Sequence, residues 1–131
     1  MIVVDSSVLV AILEEEPEAD TFLHRIAAAP RRFASAVSVY ETGVVISCRR
    51  GQASAAAVTE LLDELGIETV PFTEPYITAA VAAYSQYGKG IHPKARLNLG
   101  DCAFYALARG MNLPLLFKGG DFSETDVAAC L

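Results

Sequence analysis

Apolar residues in this chain fall into short runs separated by amphipathic stretches, and the first run, Met1–Val4, stops on an acid, Asp5. Ile2–Asp5 reads as a buried strand and Ser7–Leu13 as the helix after it. Glu14-Glu15-Glu16-Pro17 breaks that helix, and Pro17 suits the first turn of a second one running through Ala29. A short strand over Arg32–Ala34 and a helix from about Val37 to Arg50, stopped by Gly51, come next. The clearest helix is Gln52–Leu65, where Val58, Leu61, Leu62 and Leu65 share one face and Gly66 closes the end. The pattern then predicts a strand over Ile67–Phe72, a helix over Glu74–Tyr87, a Gly-, Pro- and base-rich loop over Tyr87–Leu97, and a helix over Gly100–Arg109. A strand at Leu115–Phe117 and a last short strand near Val127 complete the chain.

Strands alternating with helices imply an α/β/α sandwich around a mostly parallel sheet. Ligands of such sheets collect beyond the carboxyl ends of the strands, at the switch in strand order. Asp5 and Asp121 both follow apolar strands, so the pattern puts them at that edge.

Composition narrows the class. With 53% hydrophobic and 20% charged residues a disordered chain is excluded, and no linker, repeat or low-complexity tract divides it, so residues 1–131 are expected to form one domain. No apolar run approaches the ~20 residues that span a bilayer, and the N-terminus lacks the basic flank of a signal peptide. A soluble intracellular protein is expected. Cys48, Cys102 and Cys130 are odd in number and widely spaced, which fits buried thiols in a reducing compartment better than disulfides or zinc.

The net charge of −6 argues against a nucleic-acid partner, but its distribution argues the other way. No acid lies between Pro75 and Gly100, where Lys89, Lys94 and Arg96 cluster with His92. Arg25, Arg31, Arg32, Arg49 and Arg50 fall in a segment whose only acid is Glu41. This segregation permits a basic surround to an acidic site, while any single run reads equally as a solvated helix face.

Four acids carry the candidate chemistry, and each has a structural alternative. Asp5 can serve as an N-cap, although Ser6 and Ser7 would cap as well. Ser38-Val39-Tyr40-Glu41 has the form of a capping box. Against that, Val37, Val44, Val45 and Cys48 share the helical stripe of Glu41, where a carboxylate is costly unless it meets a cation or donors. Asp101 opens a helix one turn before Phe104 and Tyr105, and Gly120-Asp121 is a common turn pair. If they converge, these carboxylates suit Mg²⁺ or Mn²⁺, which activates water and stabilises charge on a phosphodiester. Without metal they would repel one another and carry raised pKa values.

Four segments resemble the PIN-domain family, and within it the VapC toxins: MIVVDSSVLVAIL with Asp5 and Ser7, SAVSVYETGVVI with Glu41, YGKGIHPKARLNLGDCAFYALA with Asp101, and LLFKGGDFSETDV with the fourth acidic region. The resemblance implies a cytoplasmic, usually dimeric, metal-dependent endoribonuclease that cuts structured RNA such as transfer or ribosomal RNA. It also implies inhibition by a VapB-type antitoxin. Asp5, Glu41 and Asp101 would bind Mg²⁺ or Mn²⁺, with Asp121 assisting and Ser7 orienting a carboxylate or water. Arg49, Lys89, Lys94 and Arg96 would hold the RNA backbone. His92, next to Pro93 in the loop, stays outside the catalytic set. One departure stands out: relatives often carry two adjacent acids after Lys-Gly, where this chain has Gly120-Asp121, which leaves Asp121 or Asp126 to compensate. Two rivals are a catalytically silent PIN-like module that binds RNA or protein, and a phosphate-switch receiver. The receiver would need an acceptor aspartate after a central strand, whereas Ile67–Phe72, taken as the middle strand, is followed only by Glu74.

Overall fold

A computed structural model describes residues 1–131. Four strands, β1 (Ile2–Val4), β2 (Arg32–Ser35), β3 (Ile67–Val70) and β4 (Leu115–Leu116), form one all-parallel sheet in the order β3-β2-β1-β4. The helices are α1 (Ser6–Leu13), α2 (Ala19–Ala28), α3 (Ala36–Arg50), α4 (Ala56–Leu65), α5 (Glu74–Tyr87) and α6 (Leu99–Met111). Alternation along the strands sets the three layers. Val3, Phe33 and Leu115 point into a core shared with α5 and α6. Ile2, Val4, Ala34 and Leu116 point into a second core with α1, α2 and α4. The α/β/α sandwich expected from the sequence is the architecture observed.

The chain leaves β1 for β2 on one side and returns to β4 on the other, so the switch in strand order lies between β1 and β4. Asp5 directly follows the central strand β1. The strand taken as the middle one, β3, is instead an edge strand, and the inner strand β1 does lead into an aspartate, Asp5, so strand position does not exclude a receiver.

Local departures from the sequence reading have local causes. Pro17 stays in the connecting turn and α2 starts at Ala19, after Glu15 adopts φ 53° and Glu16 N–H bonds back to Ala11 O. The first turn of the Gln52–Leu65 stretch is a 3₁₀ turn, Gln52–Ala55, that leads into α4. The strand expected near Val127 reduces to a single bridge between Leu115 and Ala129. Cys102 is buried as expected, but Cys48 is exposed and Cys130 half-buried. No helix is long and apolar enough to cross a membrane.

Arg32, grouped above with the basic residues, turns out to be structural. Its guanidinium donates to the carbonyls of Ile26 (2.7 Å) and Ala29 (3.2 Å) at the end of α2, and to Leu65 O (2.8 Å) at the end of α4. One planar cation thus satisfies orphan carbonyls of two helix C-termini and joins them to β2. Arg32→Met is expected to lower unfolding stability by about 2–3 kcal/mol, read from urea denaturation midpoints. Arg32→Lys should recover less than half of that, because one ammonium cannot serve both helix ends.

Candidate active site

Asp5 is 2% exposed and caps α1, its Oδ2 accepting the Ser7 N–H at 3.1 Å. The Ser7 hydroxyl also donates to Oδ2 and itself accepts the Lys118 N–H at 3.0 Å. Ser7 therefore ties the end of β1 to the chain leaving β4, across the switch point. The capping role and the site role are both filled by Asp5: Oδ2 does the capping, while Oδ1 is buried without a hydrogen-bond partner.

Glu41 departs from its predicted local role. Ser35 is the N-cap of α3, accepting from Val37 N–H at 3.1 Å, so the helix begins upstream of Ser38 and the Ser38–Glu41 capping box does not form. Nor does Glu41 share a buried stripe with Val44 and Cys48, which are exposed; the buried face of α3 is Ser38, Thr42 and Ile46. Small side chains there let α3 pack closely, with the Thr42 hydroxyl satisfied by Ser38 O at 2.7 Å. Half-buried Glu41 instead accepts a 2.6 Å hydrogen bond from the Ser6 hydroxyl through Oε1. Its Oε2 lies against Gly100, where an added Cβ would collide with it.

The capping box lies at Asp101. Asn98 Oδ1 accepts the Asp101 N–H at 2.8 Å, and Asp101 Oδ2 accepts the Asn98 N–H at 3.1 Å. The pattern Asn98-Leu99-Gly100-Asp101 was visible in the sequence as cap and third helical position. It was masked by the more familiar serine-to-glutamate spacing in α3.

Asp5, Glu41 and Asp101 line one pocket of about 280 Å³, together with Ser6, Ser7, Arg49, Lys118 and Asp121. Each of the three carboxylates commits one oxygen to a local donor and leaves the other uncommitted. Burial pushes the Asp5 carboxyl up from 3.8 to about 7, with smaller contributions from the Asp101 and Glu41 charges and opposition from the Ser7 hydrogen bonds. Burial likewise raises Asp101 to about 6, reinforced by Asp121 and Glu41. The expected upward shifts are present at these two groups, though burial outweighs mutual repulsion as their cause. Asp121 is exposed but lines the pocket, whereas Asp126 accepts from the Tyr105 hydroxyl and pairs with Arg109 at 3.4 Å, away from the site. Only Asp121 is left to compensate for Gly120. Lys118, the cation beside these acids, is held by Glu16 at 2.7 Å and Glu18 at 3.2 Å. No three acidic, histidine or cysteine side chains are grouped tightly enough to hold one ion between them. The oxygen-only donor set and the orphaned, buried Asp5 Oδ1 nevertheless fit a hard divalent cation in kind.

Of the ten lysines and arginines, six are engaged. Arg31 pairs with Glu68, Arg50 with Glu14, Arg109 with Asp126 and Lys118 with Glu16, while Arg25 and Arg32 bond backbone carbonyls. The remaining four are Arg49, Lys89, Lys94 and Arg96. Arg49 lines the acidic pocket; Lys89 and Arg96 line a separate one on the loop before α6. Sequence reasoning missed Ser6, Asn98 and Gly100, whose roles depend on a partner 35 residues away or on a helix start one residue earlier than expected.

Residues 2–128 match the PIN domain family. Ribonuclease VapC30 of Mycobacterium tuberculosis is 42% identical over 126 residues, covering 96% of this chain and 95% of its own. Among solved structures, the chain superimposes on Mycobacterium tuberculosis VapC20, described as a Sarcin-Ricin loop cleaving toxin, with a TM-score of 0.79 at 18% identity, covering 98% of this chain and 97% of that one. A toxin–antitoxin complex from Klebsiella pneumoniae gives a TM-score of 0.71 at 18% identity, covering 96% and 93%. At such identities the two structures speak to the fold alone. The family match across nearly the whole chain and the identity to VapC30 together make this protein a VapC-type member of the PIN-domain family.

Proposed function

We propose that the protein is a metal-dependent endoribonuclease, the toxin of a type II toxin–antitoxin pair, acting on RNA phosphodiester bonds. The observation that carries this reading is the set of three carboxylates, each holding one oxygen free, at the carboxyl end of the central strand. Relatives named VapC ribonuclease support the chemistry, and a similarly folded toxin–antitoxin complex supports a VapB-type antitoxin as partner. A transfer or ribosomal RNA target is in keeping with the description of VapC20. A homodimer is supported by Ile77, Val81 and Leu99, which stand exposed along α5 and the start of α6. The cytoplasm is the compartment such a substrate requires.

Asp5, Glu41 and Asp101 would hold Mg²⁺ or Mn²⁺, with Asp121 assisting from the exposed side. When bound, the ion supplies activation of a water and neutralisation of charge developing on the phosphate. The chain's own residues position the ligands. Ser7 fixes the Asp5 rotamer, Ser6 holds Glu41 by one oxygen, and the Asn98 amide holds Asp101 by one oxygen. Gly100 lets Glu41 reach the start of α6. Arg49, without a carboxylate partner at the pocket wall, is free to take a phosphate oxygen. The alternative, a silent PIN module that only binds RNA or protein, draws its support from Gly120 and from the open spacing of the acids.

Purified, antitoxin-free protein is expected to cut RNA with Mg²⁺ or Mn²⁺ and to stop in EDTA. Asp5→Asn or Asp101→Asn should lower the rate on the order of 10²–10³-fold, the scale of losing several kcal/mol of charge stabilisation. Gly100→Ala should fold normally, since the Glu41 side chain can swing aside, yet cut far more slowly. Wild-type protein that cuts no RNA with either metal would sink the enzyme reading.

Stability gives a separate check. A carboxyl raised from 3.8 to about 7 keeps its proton to higher pH in the folded state than in the unfolded chain. Between those values the folded form binds more protons, so stability falls as pH rises. In EDTA, Asp5→Asn should therefore melt above wild type at pH 7.5, by roughly 5 °C or more, with the gap closing towards pH 4. Divalent metal should stabilise wild type and not the variant.

A further inference from the structure

The loop between α5 and α6 is more ordered in its bonding than its Gly- and Pro-rich sequence suggests. Lys89 N–H bonds Leu97 O at 2.8 Å and Leu97 N–H bonds Tyr87 O at 2.9 Å, closing its neck. Ala95 and Leu97 are fully buried and anchor it in the core. The His92 ring packs against Tyr87, with centroids 5.7 Å apart. His92 Nδ1 accepts the N–H groups of both Lys94 (3.1 Å) and Ala95 (2.9 Å). With Nδ1 occupied as an acceptor, the ring's free donor is Nε2–H.

This loop borders an open pocket of about 400 Å³ lined by Lys89, His92 and Arg96 with Gly90, Ile91 and Pro93. Neither cation has a carboxylate partner, although acids outnumber bases 16 to 10 in the chain. Arg96 sits at φ 54°, a conformation an L-residue with a side chain resists and glycine accepts. A long cationic residue kept where glycine would be more comfortable points to a use for its guanidinium. The loop runs directly into the Asn98 cap that holds Asp101 at the acidic pocket.

We propose that Lys89, Arg96 and the Nε2–H of His92 form a discrete phosphate subsite that grips the RNA backbone beside the acidic centre. Two cations with a fixed neutral donor suit one or two phosphodiester groups, contacts that fix the register of the strand. The proposal rests on the ribonuclease reading above, but binding can be measured without cleavage.

The test is fluorescence anisotropy of a short labelled single-stranded RNA in EDTA, on the full chain. The Lys89→Ala/Arg96→Gly double variant removes both charges while giving position 96 the residue its backbone favours, so its fold and melting temperature should hold. Its affinity at low salt should fall about tenfold or more, and the slope of log K against log salt should become shallower by about 1.4, two single-strand phosphates. His92→Asn, whose side-chain oxygen can still take the two loop amides, should weaken binding with the salt slope unchanged. Arg31→Ala, which removes a cation paired with Glu68 elsewhere, should bind as wild type does. Inorganic phosphate should compete only weakly; competition as strong as the oligonucleotide's would mark a free-anion site and overturn the proposal. Unchanged affinity and slope in the double variant would overturn it too, as would an equal loss in Arg31→Ala or no RNA binding by wild type. Cleavage with Mn²⁺ is scored separately. If wild type cuts but the double variant keeps its KM and salt slope, the subsite fails and the nuclease reading stands. If wild type never cuts, the nuclease reading fails while anisotropy still decides the subsite.

Discussion

The buried Asp5 carboxylate, with one oxygen bonded and one without a partner, is the constraint around which the rest of the site is arranged. An ionised group at 2% exposure with an unsatisfied oxygen is unfavourable in isolation, and its pKa near 7 registers the strain of keeping it charged. The fold keeps it there by spending local donors on Oδ2 alone. Ser7 supplies both its amide and its hydroxyl, and the same hydroxyl receives the amide of Lys118. Glu41 and Asp101 repeat the arrangement with Ser6 and the Asn98 amide. Two local caps and one long-range hydrogen bond thus leave one oxygen of each acid without a donor, on three side chains that line one pocket.

The sheet order makes that convergence possible. β1 lies between β2 and β4, so the residue after β1 sits where connections diverge to opposite sides and leave a crevice. Alternation along strands of two to four residues fills a core on each face, which holds the strand ends in place despite their shortness. Glu41 arrives from α3 on one side and Asp101 from α6 on the other, and the two helices approach closely because position 100 has no side chain. Gly100 is therefore part of the site geometry although it carries no chemistry.

Most of the fold was legible because its signals are periodic: the stripe of Val58 and Leu62 in α4, the apolar run of β1, and Pro75 at the start of α5. Elements failed where a contact distant in sequence decides them. The rank of β3 in the sheet depends on which strands pair, and pairing leaves little trace in a four-residue run. The three acids were legible as oddly placed charges and as a family resemblance, but their supports were not. Ser38 and Glu41 satisfied a local capping pattern that the earlier start of α3 at Ala36 removes, and Asn98 with Asp101 carried the real one. Val44 and Cys48 read as core by spacing, yet the face that α3 buries is Ser38, Thr42 and Ile46. Arg32 read as surface charge until two helix ends, one of them 33 residues away, were found to converge on it.

Net charge is a poor guide here because charges in a folded chain are not interchangeable. A net −6 protein should repel a polyanion, and a pocket of carboxylates should repel it most. What an approaching phosphate meets is the charge left after internal pairing. Arg31, Arg50, Arg109 and Lys118 are answered by Glu68, Glu14, Asp126, Glu16 and Glu18, so those acids and bases largely cancel locally. The unanswered cations are Arg49 at the acidic pocket and Lys89, Lys94 and Arg96 on the loop that leads to it. The unanswered acids at the site are those whose free oxygens suit a cation. A divalent ion would convert the centre from repulsive to attractive, and one unpaired base, Arg49, already lines it. The same chain can then be acidic in sum and still present unpaired cations to a phosphodiester, at the acidic pocket and on the loop before α6.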